Sequence, residues 1–327
     1  MRSSHPAKSR LAGLLAPACL TAALLACPAG ASERAHSPAP ATATATATAS
    51  SEATAAARVA RYWTPTRMRS AKPLDMALEN GRLEPFAAPP AEAFATASFT
   101  PIATPNVPPY AAIGRIFIRQ GGQRGYCSGT AINTPTRQLV LTAGHCVNSA
   151  PREGGRAAIW SQYLQFVPAY TGGSAPFGAF VARRGEVFAP KAWIKHGNPD
   201  FDLGAFLTHP NAEGVNVADA VGGGATIVTD LDRHQKFQTF GYPGESTRMQ
   251  GCRSPYIGDD ALTYPFAGPP TMGIRCRWAP GASGGGWLIG EGAEINGVTS
   301  YLHTDNTSKT YGPYFNGETV GKLVAGL

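Results

Sequence analysis

Apart from its N-terminus, the sequence lacks any apolar run near the ~18 residues that a transmembrane helix needs. It also lacks a cluster of basic residues. The net charge is +7, but residues 1–107 hold ten Lys/Arg against six Asp/Glu and so carry +4 of it. The remaining charge is dispersed, which gives no electrostatic reason to expect a nucleic-acid partner.

Cysteine is scarce, and the chain has no Cys/His set with the spacing of a tetrahedral zinc site. No cofactor and no metal are therefore expected, although the "GDD" at Asp259 and Asp260 offers a weak calcium signal. Two of the six cysteines lie in the first 30 residues. The other four allow three pairings, and local spacing favours the disulfides Cys127–Cys146 and Cys252–Cys276 of an exported protein.

Residues 1–31 have the features of a secretory signal. Basic residues precede the apolar run Leu11–Ala26, which is too short to span a membrane. The small residues at 29–31 suit an ordinary signal peptidase and predict secretion. As an alternative, Leu24-Leu25-Ala26-Cys27 resembles a bacterial lipoprotein cleavage box, in which case lipid on Cys27 would anchor the protein at the cell envelope.

The next segment differs in composition from the rest of the chain. Residues 32–58 are nearly all Ala, Thr, Ser and Pro, which predicts a disordered linker. Large apolar residues return in 59–107, interpreted as a propeptide with a short helix over Pro73–Asn80 that packs on the protein before removal, the cut lying between about Pro90 and Ala112. The alternative is an extension that stays attached.

Residues 108–327 show short strand patterns and no long helical stripe. Apolar pieces such as "AAIGRIFIRQ", "RQLVLTAGHC", "FQTFGYPG", "GGWLIG" and "INGVTSY" are separated by glycine and proline, of which the whole chain has 38 and 28. This pattern indicates an all-β barrel or sandwich.

Ser283 lies among glycines in "RCRWAPGASGGGWLIG" and is the candidate nucleophile. The stretch fits the G-x-S-x-G elbow of α/β-hydrolases and also the G-D-S-G-G stretch of chymotrypsin-like proteases. An α/β-hydrolase places its acid and histidine after the serine, and the 44 residues that follow Ser283 are too few for the rest of such a fold. The partners of the serine should therefore lie upstream.

Two upstream motifs supply them. "LTAGHC" places His145 beside Cys146, and "NPDFDLGAFLTHP" contains Asp202 followed by an apolar residue and glycine. Together with Ser283, in this chain order, the motifs resemble those of the trypsin-like (chymotrypsin-fold) serine proteases. Asp200, two positions earlier on the same face of an extended chain, is the competing carboxylate.

The resemblance implies an all-β fold of two barrels and a Ser-His-Asp mechanism. Ser283 would attack the peptide carbonyl, His145 would carry the proton, and Asp202 would orient the imidazole. The backbone N–H groups of Gly281 and Ser283 would form the oxyanion hole, and Gly284–Gly286 would leave room for the substrate backbone. Ala282 stands where the family often has Asp, which puts in doubt activation by a new N-terminus pairing there.

"FGYPG", "GVTSY" and "YGPYF" further resemble a secreted bacterial subgroup related to the glutamyl endopeptidases, over about Ile113–Phe315. In that subgroup the strand at Ser300, Tyr301 and Leu302 would pair with substrate. The primary specificity pocket would be lined by the segment before Ser283, by Thr299–Leu302 and by the region Gly312–Tyr314. No acidic residue precedes Ser283 as in trypsin. Thr299 replaces the histidine of glutamyl endopeptidases, so neither a basic nor an acidic preference is predicted.

The sequence thus predicts an exported, monomeric serine endopeptidase acting on protein or peptide substrates, with membrane contact only through a lipidated Cys27. The alternative is a catalytically silent surface protein, an adhesin-like lipoprotein that keeps the protease fold. An esterase side activity is compatible with the same triad.

Overall fold

A computed structural model describes residues 41–79, 82–86, 99–151, 157–244, 246–260, 267–277 and 280–327. The chain divides into Met1–Ala43 and a compact unit Thr44–Leu327. The predicted signal peptide and Cys27 lie outside the described residues. Within those residues, no helix is both long enough and apolar enough to cross a membrane.

The N-terminal segment folds onto the rest of the compact unit. Its helices and strands are α1 (Ala41–Tyr62), α2 (Pro65–Arg69), β1 (Lys72–Pro73), β2 (Met76–Glu79), β3 (Arg82–Pro85) and β4 (Thr100–Pro101).

Two expectations about this segment are wrong. Residues 41–58, predicted to be disordered, belong to α1: alanine has the highest helix propensity, and Val59 and Tyr62 at the end of the helix pack against the core. The helix predicted over Pro73–Asn80 is instead the strand β2, because β2 finds hydrogen-bonding partners on both of its sides, in β3 and in a strand of the second sheet.

The first sheet closes into a barrel. Its strands are β5 (Ile113–Gln120), β6 (Gln123–Ile132), β7 (Leu139–Thr142), β8 (Gln162–Pro168), β9 (Phe180–Phe188) and β10 (Gly204–Thr208). The order is β6-β5-β8-β9-β10-β7, all antiparallel, and β7 pairs back onto β6. β1 pairs in parallel with Gly125 and Tyr126, in the first half of β6.

The second sheet follows in the chain. Its strands are β11 (Thr226–Ile227), β12 (Lys236–Gly241), β13 (Gln250–Asp259), β14 (Met272–Ile274), β15 (Gly286–Ile289), β16 (Glu294–Val298), β17 (Tyr301–His303) and β18 (Thr310–Gly312). The order is β11-β16-β15-β12-β13-β14-β18-β17-β2-β3, and β4 pairs with β13. The predicted all-β, two-barrel chymotrypsin-like fold is confirmed.

Helices in the β region are short. They are α3 (Gly144–Val147), α4 (Lys191–His196), α5 (Val217–Ala220) and α6 (Lys322–Val324), with 3₁₀ turns at Tyr110–Ala112 and Pro199–Phe201 and a π-helical turn at Gly317–Gly321. The two disulfides are Cys127–Cys146 and Cys252–Cys276, the pairings favoured by spacing. The first links β6 to α3, and the second links β13 to the residue two positions after β14.

Trp63 anchors the N-terminal segment to the first barrel. Its side chain is 4 % exposed, and its indole N–H donates to the backbone oxygen of Tyr163 over 2.6 Å. Its ring lies 5.5 Å from that of Phe117 and edge-on to that of Tyr62. The segment thus contributes a large aromatic residue to the core.

Replacing Trp63 by alanine should lower the free energy of unfolding of the full chain by about 3 to 5 kcal/mol, because a buried aromatic is lost. The matched control is Trp160→Ala, since Trp160 is 41 % exposed and its removal should cost less than about 1 kcal/mol. Urea unfolding followed by far-UV circular dichroism measures both. Equal midpoints for the two variants would show that Trp63 does not anchor the segment.

Candidate active site

His145 is presented by a tight strand-to-helix turn. The strand β7 ends at Thr142, and α3 starts two residues later, so that His145 is the second residue of the helix. Cys146, the next residue, is bonded to Cys127 of β6, which ties the turn to the neighbouring strand. The "LTAGHC" motif therefore encodes a covalently fixed position for the imidazole.

Asp202 faces this histidine. It follows the 3₁₀ turn Pro199–Phe201 and precedes β10. One carboxylate oxygen accepts the backbone N–H of His145 at 2.7 Å, and the other lies 2.8 Å from His145 Nδ1. The hydroxyl of Ser300 donates to that second oxygen over 2.5 Å. The carboxylate is fully buried and has three donors, as a buried charge requires.

The pKa of His145 is raised above its ordinary value. Burial by itself would lower the pKa, but the charge of Asp202 and its hydrogen bond to the ring favour the protonated imidazolium and outweigh burial. Asp75 and the backbone oxygen of Leu74 act in the same direction. The imidazole is therefore held in an orientation and an electrostatic environment that favour accepting a proton.

Asp200 lies elsewhere. Its carboxylate approaches Gly268 so closely that a Cβ there would overlap it, and Asp260 is a nearby like charge. Burial and that charge raise the pKa of Asp200 to about 6. Of the two competing carboxylates, Asp202 is the one in contact with His145.

Ser283 occupies a turn held between the two barrels. Its backbone oxygen accepts the N–H of Ser128 in the first barrel at 2.8 Å, and the N–H of Gly284 donates to Thr299 of the second sheet at 2.7 Å. Both neighbouring glycines have positive φ, +107° at Gly281 and +80° at Gly284. The side chain is only 1 % exposed.

The glycines after Ser283 do not leave room for substrate, contrary to expectation. A Cβ on Gly284 would overlap Thr142 Oγ1, and one on Gly286 would lie 2.6 Å from Thr130 Oγ1. The space next to Gly284–Gly286 is filled by the protein itself. Gly284 and Gly286 serve close packing against the first barrel, and Gly285 serves close packing against Phe240 of β12.

The hydroxyl of Ser283 is engaged by Asp75, a residue that motif analysis missed. Ser283 Oγ donates to Asp75 Oδ1 at 2.7 Å, and the N–H of Gly281 donates to Asp75 Oδ2 at 2.5 Å. His145 Nε2, by contrast, is buried and makes no hydrogen bond among the residues that the structure describes. Burial raises the pKa of Asp75 to about 6, opposed by hydrogen bonds from Ser283 and Gly281 and by the charge of His145.

The strand expected to bind substrate lies beside the serine and is already paired. The backbone of β17 pairs with β2 in parallel, Tyr301 opposite Met76 and Leu302 opposite Ala77. The Thr299 hydroxyl accepts the indole N–H of Trp287 at 3.0 Å. The hydroxyl of Ser300, just before β17, donates to Asp202.

Two groups of potential metal ligands are occupied by other bonds. Ligand atoms of Cys127, His145 and Cys146 lie within 4.8 Å of one another, but both sulfurs belong to the disulfide. At "GDD", Asp259 pairs with Arg233 at 2.6 Å, and Asp260 accepts from the Tyr301 hydroxyl at 2.6 Å.

Comparison with known proteins identifies the family. The chain is similar to the crystal structure of protease Anisep from Arthrobacter nicotinovorans, with 31 % identity, 65 % of this chain and 93 % of that chain covered, and a TM-score of 0.57. The chain belongs to the bacterial trypsin-like serine proteases. The serine protease AL20, from an extremophilic microorganism, matches at 26 % identity, covering 65 % and 95 % of the two chains, with a TM-score of 0.57.

A Glu endopeptidase structure shares the fold of this trypsin-like protease at 21 % identity, covering 69 % of this chain and 94 % of that chain, with a TM-score of 0.54. No protein-family model matches the chain. A comparison with curated proteins likewise finds no match.

The contact between Asp202 and His145 predicts a selective effect on titration. Asp202→Asn should lower the pKa of His145 by roughly 1 to 3 pH units, because the negative charge that stabilises the imidazolium is removed. Asp200→Asn is the control and should leave that pKa nearly unchanged. NMR titration of the histidine ring protons measures both, and a larger effect from Asp200→Asn would contradict the assignment.

Proposed function

We propose that the protein is an exported serine endopeptidase that hydrolyses peptide bonds with a triad of His145, Asp202 and Ser283. The observation that carries the proposal is the buried His145–Asp202 pair, 2.8 Å from Nδ1 to the carboxylate, adjoining the Ser283 turn in a trypsin-like protease. The turn adjoins the residue that follows the histidine, since the backbone oxygen of Ser283 lies 3.9 Å from the sulfur of Cys146.

In the proposed reaction Ser283 Oγ attacks the scissile carbonyl while His145 Nε2 accepts the hydroxyl proton. Asp202 holds the Nδ1–H and stabilises the imidazolium. The N–H groups of Gly281 and Ser283 donate to the oxyanion, a contribution of typically ~3 kcal/mol per donor. His145 then protonates the leaving amine, and water releases the acyl group from Ser283.

Substrate backbone would pair along Ser300–Leu302, as the resemblance implies. The proposal is supported by the pairing of β2 with β17, in which a segment of the chain already lies along this strand. In this proposal residues 108–327 form the mature protease, and the preceding segment is removed on maturation, so that the full chain is a zymogen.

Ser283→Ala should reduce peptide hydrolysis by the mature protein by roughly 10⁶-fold, because the nucleophile is lost while the fold remains. Ser308→Ala, at an exposed position, is the control and should leave the rate unchanged. Digestion of a proteome-derived peptide library, with sequencing of the product ends, reports activity and residue preference together.

A fluorophosphonate probe tests the alternative of a silent binding protein. The probe should label mature wild type at Ser283. A mature, folded protein that is neither labelled nor active would favour the binding function.

Export is proposed to end in secretion. When cells expressing the protein are given radioactive fatty acid, the protein should appear unlabelled in the medium, because ordinary signal peptidase removes residues 1–31. Label that is present in wild type, lost in Cys27→Ser and kept in Cys19→Ser would show instead that Cys27 carries lipid.

A further inference from the structure

The N-terminal segment places a carboxylate where the proposed reaction develops its negative charge. Asp75 Oδ2 accepts the N–H of Gly281, and Asp75 Oδ1 accepts the hydroxyl of Ser283. The N–H of Gly281, one of the two proposed oxyanion donors, therefore already points at an anion, which is the kind of group that an oxyanion site is suited to bind.

We infer that Asp75 is a built-in inhibitor of the site. Its side-chain carboxylate occupies the oxyanion position and accepts the hydrogen bond of the Ser283 hydroxyl in place of His145. The inference rests on the proposed function of Ser283 and names how that site is kept silent. The carboxylate comes from the N-terminal segment of the same chain, at the residue just before β2.

The hydrogen bonds explain why the serine would be inactive. A hydroxyl has one proton to donate, and in Ser283 it is directed at Asp75. His145 Nε2, the atom that would accept it during attack, has no hydrogen bond among the described residues. The hydroxyl of the proposed nucleophile is thus directed at Asp75 and not at its proposed base.

The arrangement also explains why the inhibitor would not be cut at this point. The group within reach of Ser283 Oγ is the side-chain carboxylate of Asp75, which carries negative charge and has no leaving group. The backbone oxygen of Asp75 accepts the N–H of Phe86 at 2.8 Å instead of the N–H groups of the oxyanion site. The peptide bond after Asp75 is therefore not the one presented for attack.

Strands on either side hold Asp75 in place. Before it, β1 pairs with β6 of the first barrel, and Leu74 N–H donates to the backbone oxygen of Tyr126 at 3.0 Å. After it, β2 pairs with β17 of the second sheet. Asp75 is thus fixed from both barrels, which lowers the entropic cost of binding its carboxylate.

A small active-site probe separates the effect of the carboxylate from simple coverage by the strands. A fluorophosphonate is applied to the full-length chain, and label is measured in the band of uncut protein. Its phosphorus forms a bond with Ser283 Oγ as the P–F bond breaks, so that fluoride leaves and His145 accepts the hydroxyl proton. Wild type should react slowly, and Asp75→Ala should react at least about tenfold faster, because hydrogen bonds to an ionised group are lost. Glu79→Ala removes an exposed carboxylate from β2, the strand that follows Asp75, and should match wild type.

Asp75→Asn serves as a second variant if the alanine variant is unstable by thermal unfolding. It keeps the size of the side chain but has only one accepting oxygen, so its labelling rate should also exceed that of wild type. Equal labelling of wild type and the Asp75 variants, whether fast or slow, would overturn the inference. Failure to label Ser283 after removal of the N-terminal segment would overturn the proposed function instead.

Discussion

The buried carboxylate of Asp202 fixes the relation between the two halves of the site. It accepts two hydrogen bonds from His145, on the first barrel, and one from Ser300, at the start of a strand of the second sheet. A buried charge is tolerated only while its donors remain in place, so the three groups stabilise one another as a network. Even Gly144, before the histidine, has no room for a side chain because Asp202 lies against it. The folding of each barrel is thereby coupled to the geometry of the imidazole.

The turn that carries Ser283 obeys the same constraint through its backbone. It is hydrogen-bonded to Ser128 on one side and Thr299 on the other, and Gly284 permits contact with Thr142 that a side chain would prevent. The turn therefore holds the N–H of Gly281 and the hydroxyl of Ser283 in fixed positions. Both donate to Asp75, the anion that the N-terminal segment brings to the turn.

Ala282 leaves the Ser283 turn without the charged side chain that the family often has there. The family often has an aspartate at that position, whereas Ala282 is buried in an apolar cluster and offers no charge to a new N-terminus. Control by a carboxylate from the N-terminal segment requires no rearrangement of the Ser283 turn. The segment is docked through Trp63 on the first barrel and through β2 on the second sheet. In the proposed zymogen, release of the segment would remove Asp75 from Ser283.

The sequence by itself determined the fold class, the candidate serine and histidine and the two disulfides, because these depend on short motifs, local spacing and the alternation of strands. Only the tertiary structure decided between Asp200 and Asp202, since both lie in one loop and the choice depends on which one reaches His145, 57 positions away for Asp202. The sequence also did not predict the helix α1, the strand β2 or the contact of Asp75 with Ser283. Asp75 meets Ser283 across 208 positions of sequence. No local pattern encodes such a contact, because it exists only when both barrels have formed and the segment has packed across them.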